Sequence, residues 1–245
     1  MRRYSYCIIF LLILLSGCNR HEQKARIFVS QKPAAILSVQ KPPKSRPARM
    51  LDSLGMVNIV ETDSTIAISL MYSRPDNFTG KVLYHELKEA YLHPKAARAL
   101  LKAQRLLRKL HPDYKLIVYD AARPLSIQRE MWNVVKGTSR NIYVSNPAHG
   151  GGLHNYGLAV DISIIGGNEN PLDMGTPVDF MGKAAHITNE QELVHKNIIT
   201  KQALIHRLLL RHVMRQAGFH PLPTEWWHFN YCSRKVARKY YKLIP

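Results

Sequence analysis

The segment GGLHNYGLAVDIS, residues 151–163, sets His154 and Asp161 seven positions apart, with Gly157 between them and an apolar run behind. An imidazole and a carboxylate at that spacing can hold a divalent cation, or can simply hydrogen-bond to each other at the start of a strand. If Leu158 to Ile165 is a strand, Ala159, Asp161 and Ser163 share one face and Val160, Ile162 and Ile164 the other. Asp161 then projects from the small-residue face, where a ligand has room. Gly157 lets the chain turn, which brings His154 back beside it.

A second stretch, TEWWHF, places Glu225 three residues before His228. Residues three apart on a straight strand face opposite sides, so sharing a site requires a bend, a bulge, or a strand that begins after Glu225; Pro221 and Pro223 lie just upstream. His154, Asp161 and His228 would then be three ligands of a Zn2+ ion, with a fourth position left for water, as in catalytic rather than structural zinc sites. Glu225 could take the proton of that water as general base. On the alternative reading Trp226 and Trp227 are core aromatics and the charged pair beside them is incidental.

A third stretch, DAARP, follows a short apolar run. Arg123 at a strand end can stabilise an oxyanion while Asp120 holds its guanidinium; alone, the two could equally be a surface ion pair. The other histidines, among twelve in all, fall mostly on helical or turn positions, as His93, His111, His206 and His212 do.

These residues need a scaffold. STIAISLMY, residues 64–72, alternates as a strand does, and HPKAARALLKAQRLLRKL, residues 93–110, has helical spacing with Pro94 in its first turn. Residues 114–120 form a buried strand and residues 125–135 a helix. Residues 158–165 are the strand carrying Asp161, and 201–219 an amphipathic helix ending near Gly218. EWWHFNYC is a last strand before a basic terminal helix. Strands and helices interleave without a regular βαβ rhythm. The expectation is an α+β fold: a single domain with a largely antiparallel sheet flanked by helices.

The N-terminus reads differently. Arg2 and Arg3 precede an apolar stretch from Cys7 to Leu15 and then Leu-Ser-Gly-Cys, which has the layout of an export signal and resembles a bacterial lipobox with Cys18 as the lipidated residue. The apolar stretch is shorter than the roughly 20 residues of a membrane span. Of three cysteines only Cys232 lies beyond this region, so a disulfide within the domain is excluded if Cys18 is lipidated. The formal charge of +18 divides evenly: ten Lys/Arg and one Glu put +9 in residues 1–50, leaving +9 for the rest. Residues 19–50, rich in Pro, Lys and Arg, read as a basic tether attracted to an anionic membrane surface. The division expected is residues 1–18 signal, 19–50 tether and 51–245 folded domain. Nucleic acid is excluded as a partner by the export signal and by the absence of a recognition motif.

Together HNYGLAVD and EWWH resemble the two zinc-site motifs, H-x6-D and E-x-x-H, of the M15 family of zinc D-Ala-D-Ala peptidases. YSRPDNFTG, DAARP, MGTPVDFMG and EWWHF resemble the D-alanyl-D-alanine dipeptidases within it, in the family's order from about Val57 to Tyr231. The resemblance implies a DD-peptidase/Hedgehog-like fold, one Zn2+ on His154, Asp161 and His228, Glu225 as catalytic base and Arg123 as stabiliser of the tetrahedral intermediate. It further implies Asp179 as the carboxylate that holds the substrate's amino group, with Tyr72 lining the same pocket and Asp120 in the substrate-binding set. The substrate implied is the D-Ala-D-Ala dipeptide. One departure stands out: the family's serine two positions before the first zinc histidine is here Gly152. A lipoprotein would also work outside the cytoplasm, where the family's resistance enzymes do not, so the expected role is cell-wall peptide turnover by an exported, membrane-anchored enzyme. A D,D-carboxypeptidase or endopeptidase of the same family, or a non-catalytic wall-binding lipoprotein, are the rivals.

Overall fold

The computed structural model describes residues 43–245; Cys18, the export signal and most of the tether lie outside the described residues. The chain enters through α1 (Arg46–Ser53), capped by Ser45 and started by Pro47, with Ala48 and Leu51 buried. Residues 46–50, assigned to the tether from their composition, therefore belong to the folded unit, which begins at Pro43. The helix is two turns long, too short for an apolar period to stand out in a Pro/Arg-rich background.

β1 (Val57–Asn58) pairs antiparallel with β3 (Tyr91–Leu92) in a small separate sheet, and the one-turn helix α2 (Ile59–Thr62) follows β1. The main sheet has five strands: β2 (Ala67–Ile68), β4 (Lys115–Asp120), β5 (Ala159–Ile165), β7 (Glu225–Asn230) and β6 (His220–Leu222), in that spatial order. β2 runs parallel to β4, and every other pairing is antiparallel. The largely antiparallel α+β architecture is the expected one. The strand expected over residues 64–72 shrinks to the two residues of β2, after which a 3-10 turn at Met71–Ser73 carries Tyr72 off the sheet edge. β6 was not expected; Pro221 within it and Pro223 just after it argue against a strand, and Pro221 is tolerated because β6 is at the sheet's edge.

The helices follow their sequence signals closely. α3 (Pro94–Leu110) is capped by His93, whose Nδ1 accepts from the Lys95 N–H at 3.2 Å, and buries Ala96, Leu100, Ala103 and Leu107 at helical spacing. α4 (Leu125–Val135) leaves the DAARP turn, and the short α5 (Glu190–His195) precedes α6 (Lys201–Ala217). Thr200 caps α6, and Gly218 ends it at φ +102. α7 (Arg234–Tyr240) follows β7. α3 packs on α6 and on β4, and β5 is buried along its whole length, Asp161 and Ser163 included. No helix of the described residues is long and apolar enough to cross a membrane.

Candidate active site

Three adjacent strands of the main sheet bring the polar residues into line. In the β4–β5 ladder Asp161 sits opposite Asp120, and in the β5–β7 ladder it sits opposite His228. The β4 register slips between Val118 and Asp120, so the strand carries a bulge where DAARP begins. His154 arrives from a 3-10 turn, Leu153–Tyr156, closed by Gly157 at φ +63. A Cβ at position 157 would lie 2.8 Å from Met56 Sδ and 2.9 Å from the His93 nitrogen, so the turn that returns His154 to Asp161 admits glycine alone. The neighbouring glycine run, residues 150–152, is a bonded turn: Gly151 N–H reaches Asn146 O at 3.3 Å and Gly152 N–H reaches Asn155 Oδ1 at 2.9 Å.

The bend required at EWWH is present. β6 pairs Pro221 with Phe229 and Leu222 with Glu225, so Trp226, Trp227 and His228 lie between those pairs without a β6 partner. The extra residues bulge, and Glu225 and His228 meet on one side, Oε2 to Nδ1 at 3.9 Å. Both tryptophans are core residues, as the alternative reading had it, but the charged pair beside them is not incidental.

His154, Asp161 and His228 converge, each offering a ligand atom within 4.8 Å of the others. His154 Nε2 is 3.2 Å from His228 Nδ1 and 3.3 Å from Asp161 Oδ2, and His228 Nδ1 is 2.9 Å from Asp161 Oδ1. Zinc with ligands at 2.0–2.1 Å has tetrahedral edges of about 3.3 Å, so the triangle fits. The opposite ring nitrogens are engaged: His154 Nδ1 donates to Ala121 O at 2.7 Å and His228 Nε2 to Asn230 Oδ1 at 2.9 Å. In those tautomers the facing nitrogens present lone pairs to each other and to a carboxylate, an arrangement that calls for a cation. Burial alone would raise Asp161, yet wherever the facing nitrogens carry protons instead, His154 and His228 hold its carboxyl well below the usual carboxylate range.

Glu225 is buried beside this triangle. Burial, with Asp161 and Asp179 adding to it against the pull of His228, pushes its carboxyl up to about 8. Arg123 is buried too, which rules out the surface ion pair. Its Nε donates to Asp120 Oδ2 at 2.9 Å, its Nη1 to Gln128 Oε1 at 2.9 Å, and its Nη2 lies 3.7 Å from Asp161 Oδ2. Asp120 is wholly buried and also accepts from Tyr84 Oη at 2.7 Å. It is not part of the cavity wall. Its expected place in the substrate-binding set is therefore corrected: Asp120 touches the guanidinium, and β4 holds it beneath the surface that a ligand meets.

Asp179 and Tyr72, distant in sequence, meet here. Tyr72 Oη donates to the two Asp179 carboxylate oxygens at 3.0 and 2.9 Å, and the Arg123 guanidinium lies 5.2 Å from the Tyr72 ring centre. Asp179 has φ +67, a left-handed conformation that non-glycine residues hold only where surroundings fix it. One cavity of about 720 Å3 is lined by Tyr72, Arg123, His154, Asp161, Asp179, Glu225 and His228. Gln128, Tyr84 and Asn230 also belong to the network and were missed. Gln128 follows DAARP on α4 and could have been suspected, but nothing in the spacing of Tyr84 points to Asp120.

Burial, reinforced by Asp161, puts the Asp179 carboxyl at about 7 against an ordinary 3.8. The folded metal-free chain thus keeps a proton that the unfolded chain releases. The resulting stability is fully present below the unfolded value and is lost as pH rises through the folded one. From about pH 5 to about pH 7 the stability of the wild type relative to Asp179→Asn should fall by about 2 kcal/mol. Urea unfolding of both metal-free chains checks this, and a difference that stays flat across the window contradicts it.

Known proteins are similar to this chain in sequence. A D-alanyl-D-alanine dipeptidase of Escherichia coli (strain K12) is 30% identical over 180 residues, covering 74% of this chain and 86% of the relative. A D-alanyl-D-alanine dipeptidase of Synechocystis sp. (strain PCC 6803) is 26% identical over 181 residues, 60% of this chain and 72% of that one. One from Enterococcus faecium is 26% identical over 178 residues, 64% of this chain and 82% of that one. The model of the M15 peptidase family, described as D-Ala-D-Ala dipeptidase, matches residues 52–244, which span every strand and helix named above except most of α1. With that match over most of its length, the chain belongs to the M15 peptidases, in their D-Ala-D-Ala dipeptidase family.

Proposed function

We propose that the protein is a zinc-dependent D-alanyl-D-alanine dipeptidase working outside the cytoplasm, held to a membrane by lipid on Cys18. The observation that carries the reading is the meeting, in one cavity, of the His154–Asp161–His228 triangle, the Glu225 carboxyl and the Asp179–Tyr72 pair. His154, Asp161 and His228 would hold the ion. Bound there, zinc supplies Lewis acidity, polarising the scissile carbonyl and acidifying the attacking water. Glu225 accepts the water's proton and passes it to the departing amine. Arg123, fixed by Asp120 and Gln128, offsets the negative charge that grows on the carbonyl oxygen. Asp179 binds the free ammonium of the dipeptide, and Tyr72 keeps that carboxylate aimed.

Asn230 fixes His228 by accepting from Nε2, so the ring presents Nδ1 to the ion. Removal of such a partner lowers metal affinity about 10- to 100-fold. Asn230→Ala should therefore release zinc to a chelator at correspondingly lower chelator concentration, which a competition titration reads directly; unchanged retention would refute the role.

A second reading has one observation in its favour. At about 720 Å3 the cavity is in the upper part of the range for small-molecule sites, roomier than so small a dipeptide demands, which suits a D,D-carboxypeptidase acting on wall peptides. The purified, zinc-loaded chain offered D-Ala-D-Ala beside a wall pentapeptide ending in D-Ala-D-Ala separates the two. Alanine from the dipeptide alone supports the dipeptidase; alanine from the pentapeptide alone moves the enzyme to the carboxypeptidases. For location, intact cells lacking the gene should lose hydrolysis of externally supplied D-Ala-D-Ala, and retention of it would defeat the exported role.

A further inference from the structure

A zwitterionic dipeptide brings a carboxylate as well as an ammonium, and the groups assigned so far leave that carboxylate without a cation. Arg123 is already committed: Nε and Nη2 are bonded to Asp120 and Nη1 to Gln128, and the two N–H groups that remain are those assigned to the carbonyl oxygen. A carboxylate carried into the cavity unpaired would be costly to desolvate.

One other guanidinium lines the same cavity. Arg234, the first residue of α7, donates from Nη2 to Ser145 Oγ at 3.1 Å and makes no ion pair among the described residues. Ser145 Oγ accepts that bond, which leaves its own hydrogen to donate. Its place is secured by Gly152: a Cβ at position 152 would lie 2.9 Å from Ser145 Oγ, so the hydroxyl stands where a side chain there would begin. The Ser145 carbonyl accepts from Gln128 Nε2 at 2.8 Å, and Gln128 Oε1 accepts from Arg123. A short bonded chain therefore ties Ser145 to the guanidinium at the reacting end.

We propose that Arg234 and Ser145 form the subsite for the substrate's free carboxylate, with the Ser145 hydroxyl in the space that a side chain at position 152 would enter. An unpaired guanidinium beside a hydroxyl is the donor set a carboxylate takes. The subsite rests on the peptidase reading above and adds to it a preference for peptides with a free C-terminus.

The test compares D-Ala-D-Ala with its C-terminal carboxamide, using the zinc-loaded full chain, Arg234→Gln and Ser145→Ala. The wild type should favour the acid. Arg234→Gln should raise KM for the acid about 10- to 100-fold, with kcat within a few-fold of wild type, while the carboxamide is cleaved as before. Ser145→Ala should act the same way with a smaller change, and Arg234→Lys should restore part of the preference. An active wild type whose Arg234→Gln variant loses acid and carboxamide equally, or loses neither, overturns the subsite alone. A wild type that cleaves neither peptide overturns the dipeptidase reading, and the subsite falls with it.

Discussion

Glu225→Gln should lower kcat for D-Ala-D-Ala about a thousandfold, with KM and bound zinc within a few-fold of wild type. The change keeps shape and removes one proton-accepting oxygen, and general base catalysis contributes ~100- to 10,000-fold. Glu225 is not one of the three converging ligand residues, so the ion should stay. Its buried carboxyl sits at about 8 without a cation nearby. A dication beside it favours the ionised form and draws it down toward neutrality, where a base is most useful. Steady-state kinetics with metal analysis on the same samples decides the matter: a variant that turns over normally removes Glu225 from the chemistry, and one that has lost its zinc shows a structural role instead.

Asp179→Asn should reduce kcat/KM for the dipeptide by about 100-fold or more, since leaving a charge of a buried pair unmatched costs ~3 kcal/mol. Asparagine tolerates the left-handed backbone at φ +67 and can still accept from Tyr72, so the fold of the segment is kept while the charge is lost. The loss should be confined to substrates with a free ammonium. A peptide acylated at that end, poorly used by the wild type, should be affected far less, which narrows the discrimination between the two. An equal fall on both peptides would show that Asp179 supports the cavity wall and reads no amino group.

How much of this was legible before folding varies from residue to residue. His154 and Asp161 could be paired from spacing because both lie on one short turn-and-strand unit, where alternation and a single left-handed glycine fix the geometry. The bulge before His228 could be inferred because two residues of one site, Glu225 and His228, three apart on a strand demand one. α3, α4 and α6 were readable from apolar period and caps, which are local. β2 was overread, since its alternation continues past the point where the sheet edge ends and the chain turns to deliver Tyr72. β6 was hidden by Pro221 within it and Pro223 just after it.

The sequence alone determined the chemistry's ingredients: a His, an Asp and a Glu–His pair at ligand-compatible spacing, an arginine after a buried strand, and the family those motifs resemble. Their assembly depended on strand order and register, which put Asp120, Asp161 and His228 side by side across β4, β5 and β7. Only the tertiary structure buried Asp120 out of a ligand's reach, closed Tyr72 onto Asp179 and set Ser145 into the space beside Gly152. The first two depend on residues far apart along the chain, and the third on how an irregular loop folds back on itself. Local propensity carries no information about such pairs, because what selects them is the packing of whole elements against one another.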